Sequence, residues 1–529
     1  MKAIPGSSRR MPPRCAAALA LLLAASVGSA GAAEPAVAAA AVAVRGEGPA
    51  PGWRESSPEA QGLSSSALAR LVDFGRENEM DSMLVVRHGT IVLDAYYAPF
   101  RRGLRHAVNS VTKAVTATLV GIAIEQQRLP GIDGKVFELL GVPARAEGDP
   151  RRQAMRLEHL LDMTSGIDWK EPLGGVKESL AEMERSADWV DYVHARPMAR
   201  PPVAAFDYDS GNSQLLSAIL ARASGSRTAD FAAAHLFAPL GITDVRWRRD
   251  PQGVSTGGYG LYLHPRDMAR LGQLYLQGGV WEGRSVVPAA WVRRAFQASV
   301  DMGLGQAPAF RYSTGWWSVP EKGVTMAVGF NRQLIVVMPA LDMVVVATGR
   351  RNYRLGALLD LAGGAVQGQA TLAEDPAARR ELTRRVAQAA VEVPGAVGPA
   401  PERARRISGR TYRFERNPLA LERVRLDLVS ARPSYELALA PATPGGPVRR
   451  LAGTLGLDGS FGPVDARADP LLLVKAAWRD ADTLQVTVRW LADGNSGTYA
   501  LRFADDDRVE LSFRDQRGLP VRTSGSAER

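Results

Sequence analysis

The chain has 529 residues, more than one ordinary domain holds, so two or three units that each bury a core are expected. Hydrophobic residues make up 46% and charged residues 23%, which excludes global disorder. The formal charge of +10 is mild for this length, and arginines stand scattered or in short pairs such as Arg248-Arg249 and Arg405-Arg406; without basic residues interleaved with aromatics, no nucleic-acid partner is expected.

Residues 1–33 place Lys2, Arg9, Arg10 and Arg14 before the apolar stretch Cys15 to Val27 and the small-residue segment Ser29-Ala30-Gly31-Ala32-Ala33, the pattern of a cleaved signal peptide. The stretch could instead stay as an anchor, but it falls short of the about twenty residues a span needs. Export to the periplasm or the medium is therefore expected, with no membrane span after signal removal. The only cysteine, Cys15, leaves with this segment, so the mature chain has no disulfide and no thiol nucleophile. Four cations leave too, and the mature charge is 10 − 4 = +6.

Residues 34–52, rich in Ala, Pro and Gly, read as a flexible leader, and a first domain is expected over 53–370. It opens with two strands around a His88-Gly89-Thr90 turn. From Ser110 to Gln127 the chain is apolar on nearly every side and ends before Pro130, as a helix buried in the domain centre would; Asn109 could cap it. Further helices are predicted at Ser213 to Arg222, Thr228 to Phe237 and Pro265 to Leu276, and strands near Thr325 to Ala327, Gln333 to Met338 and Met343 to Thr348. Strands, then helices, then returning strands predict a mixed α/β (α+β) domain whose sheet is completed by both ends of the segment.

Residues 371–405 hold Ala- and Arg-rich helical sequence and the linker-like EVPGAVGPAPE. Beyond it, over 406–525, short alternating runs such as Tyr412 to Phe414, Val424 to Leu428, Tyr435 to Leu439 and Leu484 to Trp490 predict an all-β domain.

The chemistry centres on Ser110-Val111-Thr112-Lys113. Three residues apart on a helix, hydroxyl and amine share one face. In an apolar helix Lys113 would be desolvated, its pKa lowered, and Ser110 thereby given a base near neutral pH. The helix N-terminus also aims free amides at charge developing beside Ser110. A four-residue pattern is weak alone, but Lys113 is one of only seven lysines, and an unpaired ammonium in such a helix would be costly. The histidines His88, His106, His159, His194, His235 and His264 lack metal-ligand spacing, so neither metal nor other cofactor is expected.

With Leu160-Leu161-Asp162-Met163-Thr164-Ser165-Gly166-Ile167 following, the SVTK helix resembles the serine β-lactamase-related hydrolases, which include class C β-lactamases, D,D-peptidases, family VIII esterases and 6-aminohexanoate-dimer hydrolases. The resemblance spans roughly residues 55 to 365 and implies their transpeptidase-like fold. Tyr208 and Ser210, within PPVAAFDYDSGNSQLLSAIL, fill the second motif, in which a tyrosine is followed two residues later by Asn or Ser. The resemblance implies that Tyr208 shares proton transfer with Lys113 and serves the leaving group, as a phenol beside a cation can. On the residues alone, Tyr208 could equally be a loop aromatic, with Asp209 and Asn212 making a turn.

By position the third motif, Lys-Thr-Gly or His-x-Gly in the family, falls on Ala327-Val328-Gly329-Phe330. Its cation is missing, and with it the usual anchor for a β-lactam or peptidyl carboxylate. AVGFNRQ resembles instead the A-x-G-x-x-G-Q form of the 6-aminohexanoate-dimer hydrolase branch, with Arg332 at its second glycine. The implied oxyanion donors are the backbone amides of Ser110 and Phe330, beside Gly329. Arg332 could meet a substrate carboxylate or face solvent at a turn. Asp168-Trp169, Trp247, Tyr312 and Trp316-Trp317 match family positions near the cleft and would either wall the substrate or pack the core. The expected partner is a small ester or linear amide. The all-β domain resembles the lipocalin-like barrel that follows some of these hydrolase domains; such barrels hold a ligand or are filled by side chains. A competing reading, a binding protein that keeps the fold without turnover, is separated from the enzyme by whether Ser110, Lys113 and Tyr208 converge.

Overall fold

The computed structural model describes residues 53–142, 149–173, 175, 177–298, 300–304, 310–441, 447–465, 471–514 and 520–528. The expected signal peptide and leader lie outside them. The described residues form two compact units, one over 53–392 with residues 491–495, the other over 393–490 and 496–528.

The first unit is built on an eight-stranded sheet of β1 (Met80–Arg87), β2 (Thr90–Tyr96), β3 (Val300–Asp301), β4 (Arg311–Ser313), β5 (Trp316–Val319), β6 (Val324–Gly329), β7 (Gln333–Met338) and β8 (Met343–Gly349). The order is β2-β1-β8-β7-β6-β5-β4-β3. The two ends of the segment thus meet where β1 pairs with β8, with Leu84 opposite Val346. His88 and Gly89, at φ +50° and +68°, make the β1–β2 turn in the left-handed geometry that matches strand twist.

Strands β7 and β8 are antiparallel yet read as unbroken apolar runs because both faces are covered. One face packs on α1 (Ser65–Glu77); the other carries α2 (Val111–Glu125) and α4 (Pro265–Leu276), with α3 (Ser210–Ser224) beyond α2. Helix α2 lies between sheet and helices, which is why Val111 through Ala123 are all buried. At its flank Gly315 (φ +82°) lets β5 cross the helix, since a Cβ there would sit 2.7 Å from the Lys113 carbonyl oxygen.

The helix predicted over Thr228 to Phe237 is α-helical at Thr228–Ala232 and then widens into a π turn, closed by Ala238 N–H donating to the Ala233 carbonyl at 2.9 Å. The Ala- and Arg-rich stretch forms α5 (Pro376–Ala389), which lies in this first unit rather than in a connector. It packs on α1, burying Leu382 and Ala389 and pairing Arg385 with Asp73.

The second unit is a closed barrel of nine strands in chain order: β9 (Thr411–Phe414), β10 (Leu421–Asp427), β11 (Ser434–Leu439), β12 (Arg449–Gly456), β13 (Leu472–Trp478), β14 (Thr483–Trp490), β15 (Asn495–Phe503), β16 (Arg508–Arg514) and β17 (Pro520–Ala527). Strands β12 and β13 pair in parallel, which departs from the eight-stranded up-and-down lipocalin meander. Alternate residues such as Tyr412, Phe414, Val424, Leu426, Leu501 and Phe503 point inward, and the space left among them is about 10 Å³, at the limit of one water. Among the described residues that line this cavity, side chains fill the interior, as in the second of the two expected options.

Candidate active site

Ser110 stands half-buried at the head of α2. Asn109 before it adopts φ +50°, a left-handed conformation that Asn tolerates better than most residues, and this turns the chain abruptly into the helix. The cap expected from Asn109 is not formed. Ser110 occupies the N-cap position without a side-chain cap bond, and Asn109 Nδ2 donates instead to the Phe330 carbonyl at 3.1 Å.

One turn into the helix, Lys113 is 3% exposed. Its Nζ donates to Ser110 Oγ at 3.2 Å, to Ser210 Oγ at 3.0 Å and to the Gly258 carbonyl at 3.0 Å. Burial lowers its pKa to about 8, against the opposing pull of the Glu171 and Asp209 carboxylates. The amine is thus poised near neutrality.

Tyr208 is buried in the segment leading into α3, near enough to the Ser110 side chain for that hydroxyl to lower the cost of ionising its phenol. The Lys113 ammonium lies 4.7 Å from its ring centroid. Ser110, Lys113 and Tyr208 therefore converge. Burial, reinforced by the negative charge of Glu171, pushes the phenol above its ordinary value, which favours the protonated form of Tyr208. Asp209 caps α3 by accepting the Asn212 N–H at 3.0 Å, the local work expected of it, and burial pushes its carboxyl up to about 8.

Ser210 links Lys113 to a residue the sequence did not single out. Its hydroxyl donates to Glu171 Oε1 at 2.9 Å, and its backbone N–H donates to Glu171 Oε2 at 3.0 Å. Trp169 Nε1 donates to the same Oε2 at 2.8 Å. Glu171 is 4% exposed. No local signal marks it, because its partner lies 39 positions away and a lone Glu in a loop reads as a solvated charge.

Gly329 ends β6 against the head of α2, where a Cβ would lie 2.4 Å from the Val108 carbonyl oxygen. Phe330 follows, 49% exposed, with its carbonyl fixed by Asn109 and by Gln333 Nε2 at 3.1 Å. Gln333 is itself clamped to Gly349 through 2.8 Å and 3.1 Å bonds.

Asp168 is held by Arg196 at 3.7 Å and by the Pro197 carbonyl, which accepts its N–H at 2.9 Å. Trp169 is buried in support of Glu171 rather than spread along a wall. Trp316 is 2% exposed, its ring centroid 4.3 Å from that of Tyr275, and belongs to the core. Trp317 faces Tyr208 at 6.4 Å between centroids, with the half-buried Phe310 at 5.8 Å beyond it. Trp247 binds the Thr256 carbonyl through Nε1 at 2.8 Å. Arg332 takes φ +60°, its carbonyl accepts from the Tyr353 hydroxyl at 3.3 Å, and burial lowers its guanidinium pKa. None of Asp168, Trp169, Trp316 or Arg332 hydrogen-bonds Ser110, Lys113 or Tyr208 in the structure.

Comparison with known proteins gives this geometry its context. A 6-aminohexanoate-dimer hydrolase of Paenarthrobacter ureafaciens is 26% identical over 323 residues, covering 55% of this chain and 79% of that protein. A Bacillus anthracis structure provisionally named as a 6-aminohexanoate-dimer hydrolase covers 60% of this chain and 87% of its own, with a TM-score of 0.51 at 17% identity, a likeness of fold. EstCE1, a hydrolase with promiscuous acyltransferase activity, covers 57% of this chain and 99% of its own, with a TM-score of 0.48 at 18% identity. The Beta-lactamase family model matches residues 68–368, more than half of the chain, and the protein belongs to that family as a serine hydrolase.

Proposed function

We propose that the protein hydrolyses small esters or linear amides through an acyl-enzyme on Ser110. The observation that carries this reading is the 3.2 Å contact between Lys113 Nζ and Ser110 Oγ in a buried site where the amine pKa falls to about 8. Ser110 Oγ attacks the substrate carbonyl carbon as its proton passes to Lys113. The oxyanion is met by the Ser110 and Phe330 amides, and the Ser110 amide, first of its helix, has no intrahelical acceptor to compete. On collapse, the phenol of Tyr208 protonates the departing alcohol or amine and regains a proton from Lys113. Water, deprotonated by Lys113, then attacks the acyl carbon and releases Ser110.

The wall expected beside Ser110 supports this substrate class. Ala327 stands where the family carries a cation, so no anchor for a β-lactam or peptidyl carboxylate is built there, while Phe310, Trp317 and the exposed Phe330 offer apolar surface to an acyl chain. The relative acting on 6-aminohexanoate dimer supports a linear amide as one such substrate. The basic, then apolar, then small-residue pattern of residues 1–33 supports export.

The test is hydrolysis of p-nitrophenyl acetate and butyrate by the mature protein and by Ser110→Ala, with intact-mass detection of a phosphonate adduct. Turnover and labelling that both vanish in the variant are expected. Wild-type protein that neither turns over nor labels overturns the reading, and nitrocefin cleavage faster than ester cleavage overturns the substrate class.

A further inference from the structure

We propose that Glu171 is a positioning residue that fixes Lys113 as the base: by holding the Ser210 hydroxyl proton, it leaves the lone pair of the neutral amine with Ser110 as its target. The inference rests on the assignment of Ser110 as nucleophile and Lys113 as its base.

The argument is one of counting donors and acceptors. A neutral lysine amine has two N–H bonds and one lone pair, and Lys113 Nζ has three neighbours: Ser110 Oγ, Ser210 Oγ and the Gly258 carbonyl oxygen. The carbonyl can only accept, so one N–H goes there. Ser210 Oγ carries a single proton, which is committed to Glu171 Oε1 at 2.9 Å. Towards Lys113, Ser210 can therefore only accept, and it takes the second N–H. What is left is the lone pair, facing the hydroxyl of Ser110. Were the Ser210 hydroxyl free to rotate, it could donate to the amine and occupy the lone pair that Ser110 needs.

Glu171 is built not to swing. Its Oε2 accepts from Trp169 Nε1 at 2.8 Å and from the Ser210 backbone N–H at 3.0 Å, and Lys177 Nζ lies 3.9 Å from Oε1. The side chain is buried, so water does not compete for these bonds. The titratable groups that feel its charge are Lys113, Tyr208, Asp209, Glu184 and Tyr259, with Lys177 at the rim. The carboxylate also favours the ammonium that forms when Lys113 takes the Ser110 proton.

The experiment is the pH profile of kcat/KM for a neutral p-nitrophenyl ester with wild type, Glu171→Gln, Ser210→Ala and the double variant. A glutamine that keeps its carbonyl on Trp169 and the Ser210 amide turns an NH2 group towards Ser210 Oγ and releases the hydroxyl to Lys113. The alkaline plateau of Glu171→Gln is expected to fall about 10- to 100-fold. Its acid limb is expected to move to lower pH by about one unit, because loss of the carboxylate charge lowers the Lys113 pKa further. Ser210→Ala should lose a comparable factor, and the double variant should lose no more than the worse single one, since both act through one hydroxyl. A lower plateau with an unmoved acid limb, or additive losses, would reduce Glu171 to a packing residue and overturn the inference. Should Glu171→Gln fail to fold by circular dichroism, Ser210→Ala decides alone, and wild-type rates there overturn it. An inert, unlabelled wild type would be the failure of the parent assignment, whereas an active wild type with an unchanged Glu171→Gln profile sinks only this proposal.

Discussion

Asn109 and Phe330, 221 positions apart, are joined by a single bond of 3.1 Å from the Asn109 amide to the Phe330 carbonyl. It ties the turn that precedes Ser110 to the end of β6, the two places from which the main-chain amides proposed to receive the oxyanion come. The left-handed Asn109, the cramped Gly329 and the Gln333 clamp all serve that one registration.

Gly329 and Phe330 should respond to mutation in opposite ways. A methyl group on Gly329 meets backbone, the Val108 carbonyl oxygen at 2.4 Å, and cannot be relieved by a rotamer change. Gly329→Ala is expected to cost about 1–3 kcal/mol of stability and to cut kcat by about 100-fold as the strand shifts from the helix head. Phe330→Ala keeps its amide and should leave kcat within about fivefold, with KM rising for longer acyl chains. Parallel thermal melts and acyl-chain-length kinetics check both statements.

The pH dependence of acylation should report Lys113. Its amine accepts the Ser110 proton only when neutral, which is above its pKa, and burial places that pKa at about 8. Activity is therefore expected to rise about tenfold per pH unit below the limb and to level off above it. Lys113→Arg, which cannot deprotonate, should lose at least about 10³-fold with no titrating limb left in the accessible range. A wild-type limb near the ordinary lysine value would contradict the burial argument.

Arg332 offers a test in which the variant should gain. The residue sits at φ +60°, where a Cβ is strained and glycine is not. Arg332→Gly is expected to leave the melting temperature unchanged or raised, by up to about 1 kcal/mol of stability, and to keep neutral-ester kinetics within about twofold. A selective rise in KM for carboxylate-bearing substrates would show that the guanidinium reaches the substrate after all.

Trp316 should behave as core. With 2% exposure and the tilted Tyr275 ring at 4.3 Å, Trp316→Ala is expected to cost about 3–5 kcal/mol, and Trp316→Phe less, with KM unchanged in the folded fraction of either. A KM shift in Trp316→Phe without a lower melting temperature would return this side chain to the substrate wall.

Much of this molecule could be read before any coordinates. Local periodicity is carried by neighbouring residues, so Pro265–Leu276 and Gln333–Met338 match the sequence prediction, and the spacing of Ser110 and Lys113 on one helix face needs only 3.6 residues per turn. Alternation likewise announced the all-β domain at the C-terminal side. What the sequence could not hold is anything decided by approach across the fold. Glu171 became part of the site because Ser210, 39 residues on, folds against it; Trp316 and Trp317, adjacent in the chain, parted into core and Tyr208 neighbour because successive strand residues face opposite sides. The phenol of Tyr208 stays protonated for the same reason: desolvation is a property of the packed surroundings, and no spacing of letters encodes it. Sequence alone determined many of the elements and the helix that carries Ser110 and Lys113, because these follow from short-range pattern. Tertiary structure alone decided which charges share a buried space, because that depends on distances closed only when the chain has folded.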